Sequence, residues 1–299
     1  MRLSNEDKMN DIEKLLSQIG DLPTLPDVAS RINREMQSEG LNAKLLGEII
    51  ADDTSLAAKV LRLANSAFYG LQKQVTTLNK AVMILGFNTV KNLALSVSIY
   101  SLFKDRPGSP IDVKGLWLHS LGSAVAAKII TENIYKKLGE EAFLFGILHD
   151  VGKIAFINAM PREYEKVLVL IREKQMPQAD AETEVLGFTH QRLGSQLLDI
   201  WKFPDNIIQA VKYHHEPELK TAKLDPQLKD LIRALFLGNQ MTKALHLGQS
   251  TNPVREEIPK IVWQSLNIKR SQLNDIAGNI KNSYALLLDA WDLEGKDHG

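Results

Sequence analysis

The chain has 299 residues, 44% of them hydrophobic, enough apolar material for one large core or two tightly packed ones, and this sets aside disorder for most of its length. It has no cysteine, which excludes disulfides, thiolate metal sites and thiol nucleophiles; any bound metal must use His, Asp, Glu or Asn. Lys plus Arg and Asp plus Glu both number 36, so no global field draws the chain to DNA or to an anionic membrane.

The opening residues, MRLSNEDKMNDIEKLL, are polar and lack the apolar run of a signal peptide, and no later segment holds about 18 uncharged apolar residues. The expectation is a cytoplasmic protein that does not enter a membrane. Apolar residues recur at helical spacing, as at Ile49, Leu56, Val60, Leu61 and Leu63, while alternating strand patterns are nearly absent, which predicts an all-α fold. Asn42 is placed to cap a helix over 43–51, Thr54 one that runs on to Ala67, and Thr77 one that ends near Gly86. Asn65 and Ser66 can close the second of these, with Gly70 as a positive-φ stop, and Gly86 reads as a tight helix–helix connection. Phe68 and Tyr69 read as core or lobe-interface aromatics, and the Leu, Val and Ile stripe from Val90 to Leu102 as the hydrophobic face of a central helix.

The sharpest break in composition is KDRPGSPID, from Lys104 to Asp112, and it places a boundary between two lobes. The expected organisation is an N-terminal helical lobe over 1–108, a second lobe over 109–222 and further helices over 223–299 that pack on the second lobe, over its histidines. Pro161 sits where a first helical turn accepts proline. Trp117 and Trp201 flank the histidine segments, where core packing is favoured over a pocket wall.

Five of the seven histidines, His119, His149, His190, His214 and His215, fall in the second lobe, and Asp150 adjoins one of them. Neutral imidazole with carboxylate suits first-row divalent metals, and two adjacent metals can hold a phosphoryl oxygen and activate water. In FLFGILHDVGK, His149, Asp150 and Lys153 end an apolar run that must be buried, and burying them together requires a metal, a charge-paired network or a phosphate. The plainer alternative is that Asp150 pairs with Lys153 or caps a helix while Gly152 turns the chain.

HDVGK resembles the signature of the HD superfamily of metal-dependent phosphohydrolases, with WLHS supplying the preceding histidine; GFTHQRLGSQLL and YHHEPE resemble the later histidines of its HD-GYP phosphodiesterase branch. LPTLPDVASRINREM, IADDTSLAAKVLRLANSAFYG and TTLNKAVMILGFNTVKNLALS, with FLFGILHDVGK and LLDIWKFPDNIIQAVKYHH, resemble the HDOD family segment by segment. That resemblance implies a bilobed helical fold with an HD-like second lobe. It also implies His119, His149, Asp150, His190, His214, His215 and Asn239 as ligands of a mono- or dinuclear divalent metal (Fe, Mn, Ni or Zn), with Asp150 and Lys153 in any catalysis and Lys153 as a phosphate contact.

Two departures bear on activity. Asn239, in ALFLGNQMTKAL, stands where enzymatic HD proteins place a further aspartate, and no Gly-Tyr-Pro follows in HHEPELKTAK. The first reading is therefore a cytoplasmic signal-transduction protein of the HDOD type with degenerate or weak catalysis. It would act through partner signalling proteins, with a nucleotide or cyclic dinucleotide as a further ligand. The alternative is a metal-dependent phosphohydrolase or phosphodiesterase acting on a nucleotide or cyclic dinucleotide. His246 and His298 match no family position, and the sequence holds no P-loop, Rossmann fingerprint or zinc finger.

Overall fold

A computed structural model describes residues 22–38, 40–103, 109–252, 254 and 256–291; among them there are helices and no strand. His298 and residues 104–108 of the expected boundary lie outside the described residues.

The first lobe holds α1 (Asp27–Gln37), α2 (Ala43–Ala51), α3 (Thr54–Ala64), α4 (Leu78–Leu85) and α5 (Phe87–Tyr100). Asn42 caps α2 by accepting from the backbone N–H groups of Lys44 and Leu45, and Thr77 caps α4 through Lys80 N. The α3 cap differs from the expectation. Asp53, not Thr54, accepts from Leu56 N, and the helix ends at Ala64 rather than Ala67. A carboxylate one residue upstream reaches the orphan N–H groups of the first turn and also complements the helix dipole. Asn65 then closes the helix: its side chain donates to Leu61 O and Val75 O and accepts from Val75 N. Gly70 and Gly86 take positive φ values of 62° and 91°.

The expected apolar face of α5 is in fact buried almost all round, from Asn92 to Ile99, because α1, α3, α4 and the second lobe enclose it. That second lobe comprises α6 (Val113–Glu132), α7 (Gly139–Leu148), α8 (Val151–Ala159), α9 (Pro161–Lys174), α10 (Gln178–Leu186), α11 (His190–Ile200) and α12 (Asp205–Tyr213). The long α13 (Pro226–Ala244), the short α14 (Lys260–Ser265) and α15 (Leu273–Trp291) follow. Asp112 caps α6, and Pro161 opens α9.

One apolar core runs through both lobes, and a second, smaller one joins α6 to α13, α14 and α15. Phe68 meets Phe143 across the junction at 6.5 Å between ring centres, and Asn33 donates from α1 to Trp201 O at 2.7 Å. The segment Gly139–Ala159 is long and apolar enough to cross a membrane by composition, yet 89% of its most apolar stretch is buried inside this fold, where it forms α7 and α8. Its apolarity is accounted for by core packing.

The C-terminal helices reach further than the second lobe. α13 lies along α6, whereas α15 packs on α6 and also on α3 of the first lobe. Trp291 of α15 contacts Trp117 and Tyr100, at 5.0 and 5.5 Å between ring centres. Trp117 is therefore a core residue at the lobe junction.

Candidate metal centre

The sequence places His149 and His214 at helix C-termini, where the free backbone carbonyls of a last turn are available to side chains. His149 caps the C-terminus of α7 and its Nδ1 lies 2.7 Å from Gly146 O; His214 caps α12 with Nδ1 2.7 Å from Val211 O. Each carbonyl accepts a hydrogen bond from Nδ1–H, which leaves Nε2 turned inward. Asp150 stands at the N-terminus of α8 but makes no capping bond; its carboxylate turns into the cluster instead. His190 opens α11 behind its Thr189 cap, and His119 projects from the buried middle of α6.

Two glycines allow these elements to approach. A Cβ on Gly152 would run into the His190 carbonyl and Gly194 N, and one on Gly146 into the Ala124 backbone. Gly152 is thus a contact point between α8 and α11, not a chain-turning residue, since its φ is not positive.

The Asp150 carboxylate is the hub. On one side, Oδ2 lies 2.8 Å from Lys153 Nζ, 3.2 Å from His149 Nε2 and 3.9 Å from His119 Nε2. On the other, Oδ1 lies 3.5 Å from His190 Nε2 and 3.8 Å from His214 Nε2. The two imidazoles on that side are 3.3 Å apart, Nε2 to Nε2. Donor atoms fall into two sets, His119, His149 and Asp150, and His190, His214 and His215, each within 4.8 Å of one another.

Burial sets the electrostatics. It lowers the His119 and His214 pKa values well below the usual histidine range, more than Asp150 raises them, and neighbouring imidazoles push the same way. Burial also lowers His215 to about 4 against the opposing pull of Glu256. It raises Asp150, but His149, Lys153 and His190 outweigh it and hold the carboxyl well below its ordinary value. His119, His214 and His215 are thereby held neutral beside an ionised carboxylate, the protonation state that metal binding requires.

Several buried polar atoms have no hydrogen-bond partner: His119 Nε2, His149 Nε2, Asp150 Oδ1 and Asn239 Oδ1. Unsatisfied groups of this kind are costly; His119 Nε2 and His149 Nε2 converge on one side of the Asp150 carboxylate while its Oδ1 faces the other, and a divalent cation fits that donor set. The structure brings together His119, His149, Asp150, Lys153, His190 and His214, with His215 at the edge. Asn239 is buried on α13, but among the described residues no hydrogen bond or ion pair joins its Oδ1 to the cluster. His246 takes no part in it.

Sequence reasoning missed the outer partners. Glu182 of α10 holds His190 Nδ1 at 2.7 Å, Glu256 holds His215 Nδ1 at 2.8 Å, and Lys243 of α13 lies 3.8 Å from Glu256. Burial lowers Lys243 to about 8, and Lys153 adds to the effect. Beside the cluster runs a groove of about 1130 Å³ lined by His215, Gln191, Arg192, Lys212, Glu256 and neighbouring residues; the other five histidine and aspartate members do not line it.

A family profile for the HDOD domain matches residues 22–217. This chain belongs to the HDOD family. An HDOD domain protein of unknown function from Geobacter sulfurreducens superposes with a TM-score of 0.80 at 23% identity, covering 97% of this chain and 100% of that one. A candidate signal transduction protein from Marinobacter aquaeolei VT8 (TM-score 0.73, 23% identity, 97% of this chain and 66% of that one) shares the fold. So does a candidate phosphohydrolase from Shewanella amazonensis SB2B (TM-score 0.71, 22% identity, 93% and 96%). In sequence, this HDOD chain is 23% identical over 276 residues to an uncharacterized protein of Treponema pallidum (strain Nichols), covering 90% of this chain and 51% of the relative. It also matches the uncharacterized protein YuxH of Bacillus subtilis at 23% over 168 residues, 56% of this chain and 38% of YuxH. The HDOD chain thus spans about half or less of the length of these relatives.

Proposed function

We propose that this HDOD protein is a cytoplasmic signal-transduction protein built around a buried divalent-metal centre, acting through partner proteins and a nucleotide-type ligand with weak or no catalysis. The observation that carries this reading is the convergence of four inward Nε2 atoms on both oxygens of one buried carboxylate, with their outer nitrogens held in place where carbonyls or carboxylates back them. The residues that would hold metal are His119, His149, Asp150, His190, His214 and His215. When bound, Fe, Mn, Ni or Zn would supply Lewis-acid chemistry toward a phosphoryl oxygen or water.

Regulation is favoured over turnover by access. His119, His149, Asp150, His190 and His214 are all buried, and only His215 lines the neighbouring groove. A neutral Asn239 where a further aspartate is expected also supports weak catalysis.

The second reading, a metal-dependent phosphohydrolase or phosphodiesterase acting on a nucleotide or cyclic dinucleotide, draws support from Lys153 and Lys243. Two buried ammonium-bearing side chains beside the cluster suit an anionic phosphate. In that case Lys153 would leave Asp150 to steady phosphate charge.

Elemental analysis of protein purified without a His tag, beside a His149→Ala, Asp150→Ala variant, tests the metal reading. One or two equivalents in the wild type, lost in the variant, are expected; no metal after reconstitution would overturn it. Phosphodiester hydrolysis by the loaded wild type would move the choice to the second reading.

A further inference from the structure

The groove of about 1130 Å³ beside the cluster is lined by α11, α12, the start of α10 and the chain that follows α13. Gln191, Ser195 and Asp199 bring one face of α11 to it at helical spacing, and Asp205, Gln209 and Lys212 do the same for α12. His190 opens α11 and His214 caps α12, so the two helices that flank the groove also carry two histidines of the buried centre.

The chemistry of the lining says what fits there. The volume lies above the roughly 300–1,000 Å³ of small-molecule pockets, which suits a stretch of polypeptide. The rim is acidic among the described residues. Asp199, Asp205, Glu216 and Glu257 are exposed carboxylates set against Arg192 and Lys212, while Glu256 is already paired with His215 and Lys243. Two side chains of α11 add a demand of their own. Gln191, only 7% exposed, and Gln196 both line the groove, and the Oε1 atom of each is buried without a hydrogen-bond partner. An acceptor left without a donor is costly.

The unmet needs of the groove are therefore donors and positive charge. A phosphate group brings acceptors and negative charge, and so fits neither the rim nor the two oxygens. A basic peptide supplies backbone N–H groups for the carboxamides and ammonium or guanidinium groups for the carboxylates. Ile208 and Val254 offer apolar surface to its remaining side chains.

We propose that this groove is the docking site for an extended, Lys- or Arg-bearing segment of a partner protein, with Gln191 and Gln196 on its backbone and the rim carboxylates on its side chains. This rests on the partner-protein reading above and gives it a place and a chemistry.

The test is fluorescence anisotropy of the full-length protein with labelled, degenerate nonapeptide pools carrying Lys or Arg at alternate positions, beside pools carrying Asp or Glu there. At low salt the basic pools should bind at least about 10-fold more tightly than the acidic ones. Asp199→Asn with Glu257→Gln, both on the surface, should weaken the basic pools about 2- to 30-fold at low salt and much less at high salt, as loss of two exposed ion pairs does. Gln191→Leu, close in size, should weaken them about 2- to 12-fold at either salt, as loss of one hydrogen bond does. Should Gln191→Leu not fold, the surface pair still decides. Equal binding of basic and acidic pools, or wild-type affinity in the variants, overturns the proposal. Displacement of bound peptide by ATP or a cyclic dinucleotide also overturns it, and gives the groove to a nucleotide. A natural partner that binds the variants as well as the wild type overturns the docking site while leaving the partner-protein reading standing, and metal content decides the metal reading independently of all these arms.

Discussion

Lys153 Nζ lies 2.8 Å from Asp150 Oδ2, and both side chains are buried. In the metal-free protein this ammonium is a direct counter-charge of the carboxylate, alongside His149. Lys153→Met should destabilise the metal-free protein by about 3–5 kcal/mol, the cost of leaving one partner of a buried pair uncompensated. Divalent metal takes over the role, so urea denaturation should show a much smaller loss with Mn2+ present. An equal loss with and without metal would show that the two cations do not share the carboxylate.

Acid should unfold the metal-free protein early. His119, His214 and His215 have folded pKa values below the ordinary 6.5, His215 at about 4. Below about pH 6.5 the unfolded chain takes up protons that the fold refuses, so each group lowers stability by about 1.4 kcal/mol per pH unit until its own folded value is reached. Asp150 acts in the same direction at lower pH: its depressed carboxyl contributes stability that is lost as pH falls through the folded value. Thermal denaturation in EDTA should show Tm falling steeply from pH 7 to pH 5. A flat profile would mean the imidazoles reach water.

Gly152→Ala should damage fold and site together. The new methyl would meet the His190 carbonyl, and backbone cannot swing aside as a flexible side chain can. The expected cost is about 1–3 kcal/mol, with reduced metal uptake because α11 carries His190. Gly278→Ala on α15, where nothing lies within 4 Å of the new Cβ, is the control and should stabilise by up to about 1 kcal/mol.

Asn65→Ala separates fold from site. It removes two donated hydrogen bonds and orphans the Val75 N–H, for an expected loss of about 1–3 kcal/mol. Metal content should not change. A variant that also lost metal would tie the first lobe to the centre.

What could be read from the sequence was whatever local pattern or family signature encodes. Asn42 and Thr77 announce their helices through capping chemistry within three residues, and HDVGK with the paired histidines marks the candidate ligands. Asp53 and Thr54 are two potential caps side by side, and only backbone geometry chooses between them. Glu182 and Glu256 each sit in polar stretches that look like any solvated surface; they reach the cluster through packing across 8 and 41 residues, which no periodicity reveals. The close contact at Gly152 is hidden for the same reason, since an approach between helices leaves no mark on the residues beside it in sequence.

The bonds that join distant parts of the chain also bear on how it folds. Asn33 to Trp201, Gln37 to Lys202 and Tyr284 to Leu118 span 168, 165 and 166 residues. Helical proteins fold quickly when their contacts are local, because little loop-closure entropy is lost before each contact forms. Here helices can form early, but the junction between lobes closes only when segments more than half a chain apart have met. Refolding should therefore lag well behind the gain of helicity, with the two lobes reaching their final packing in one late, shared step.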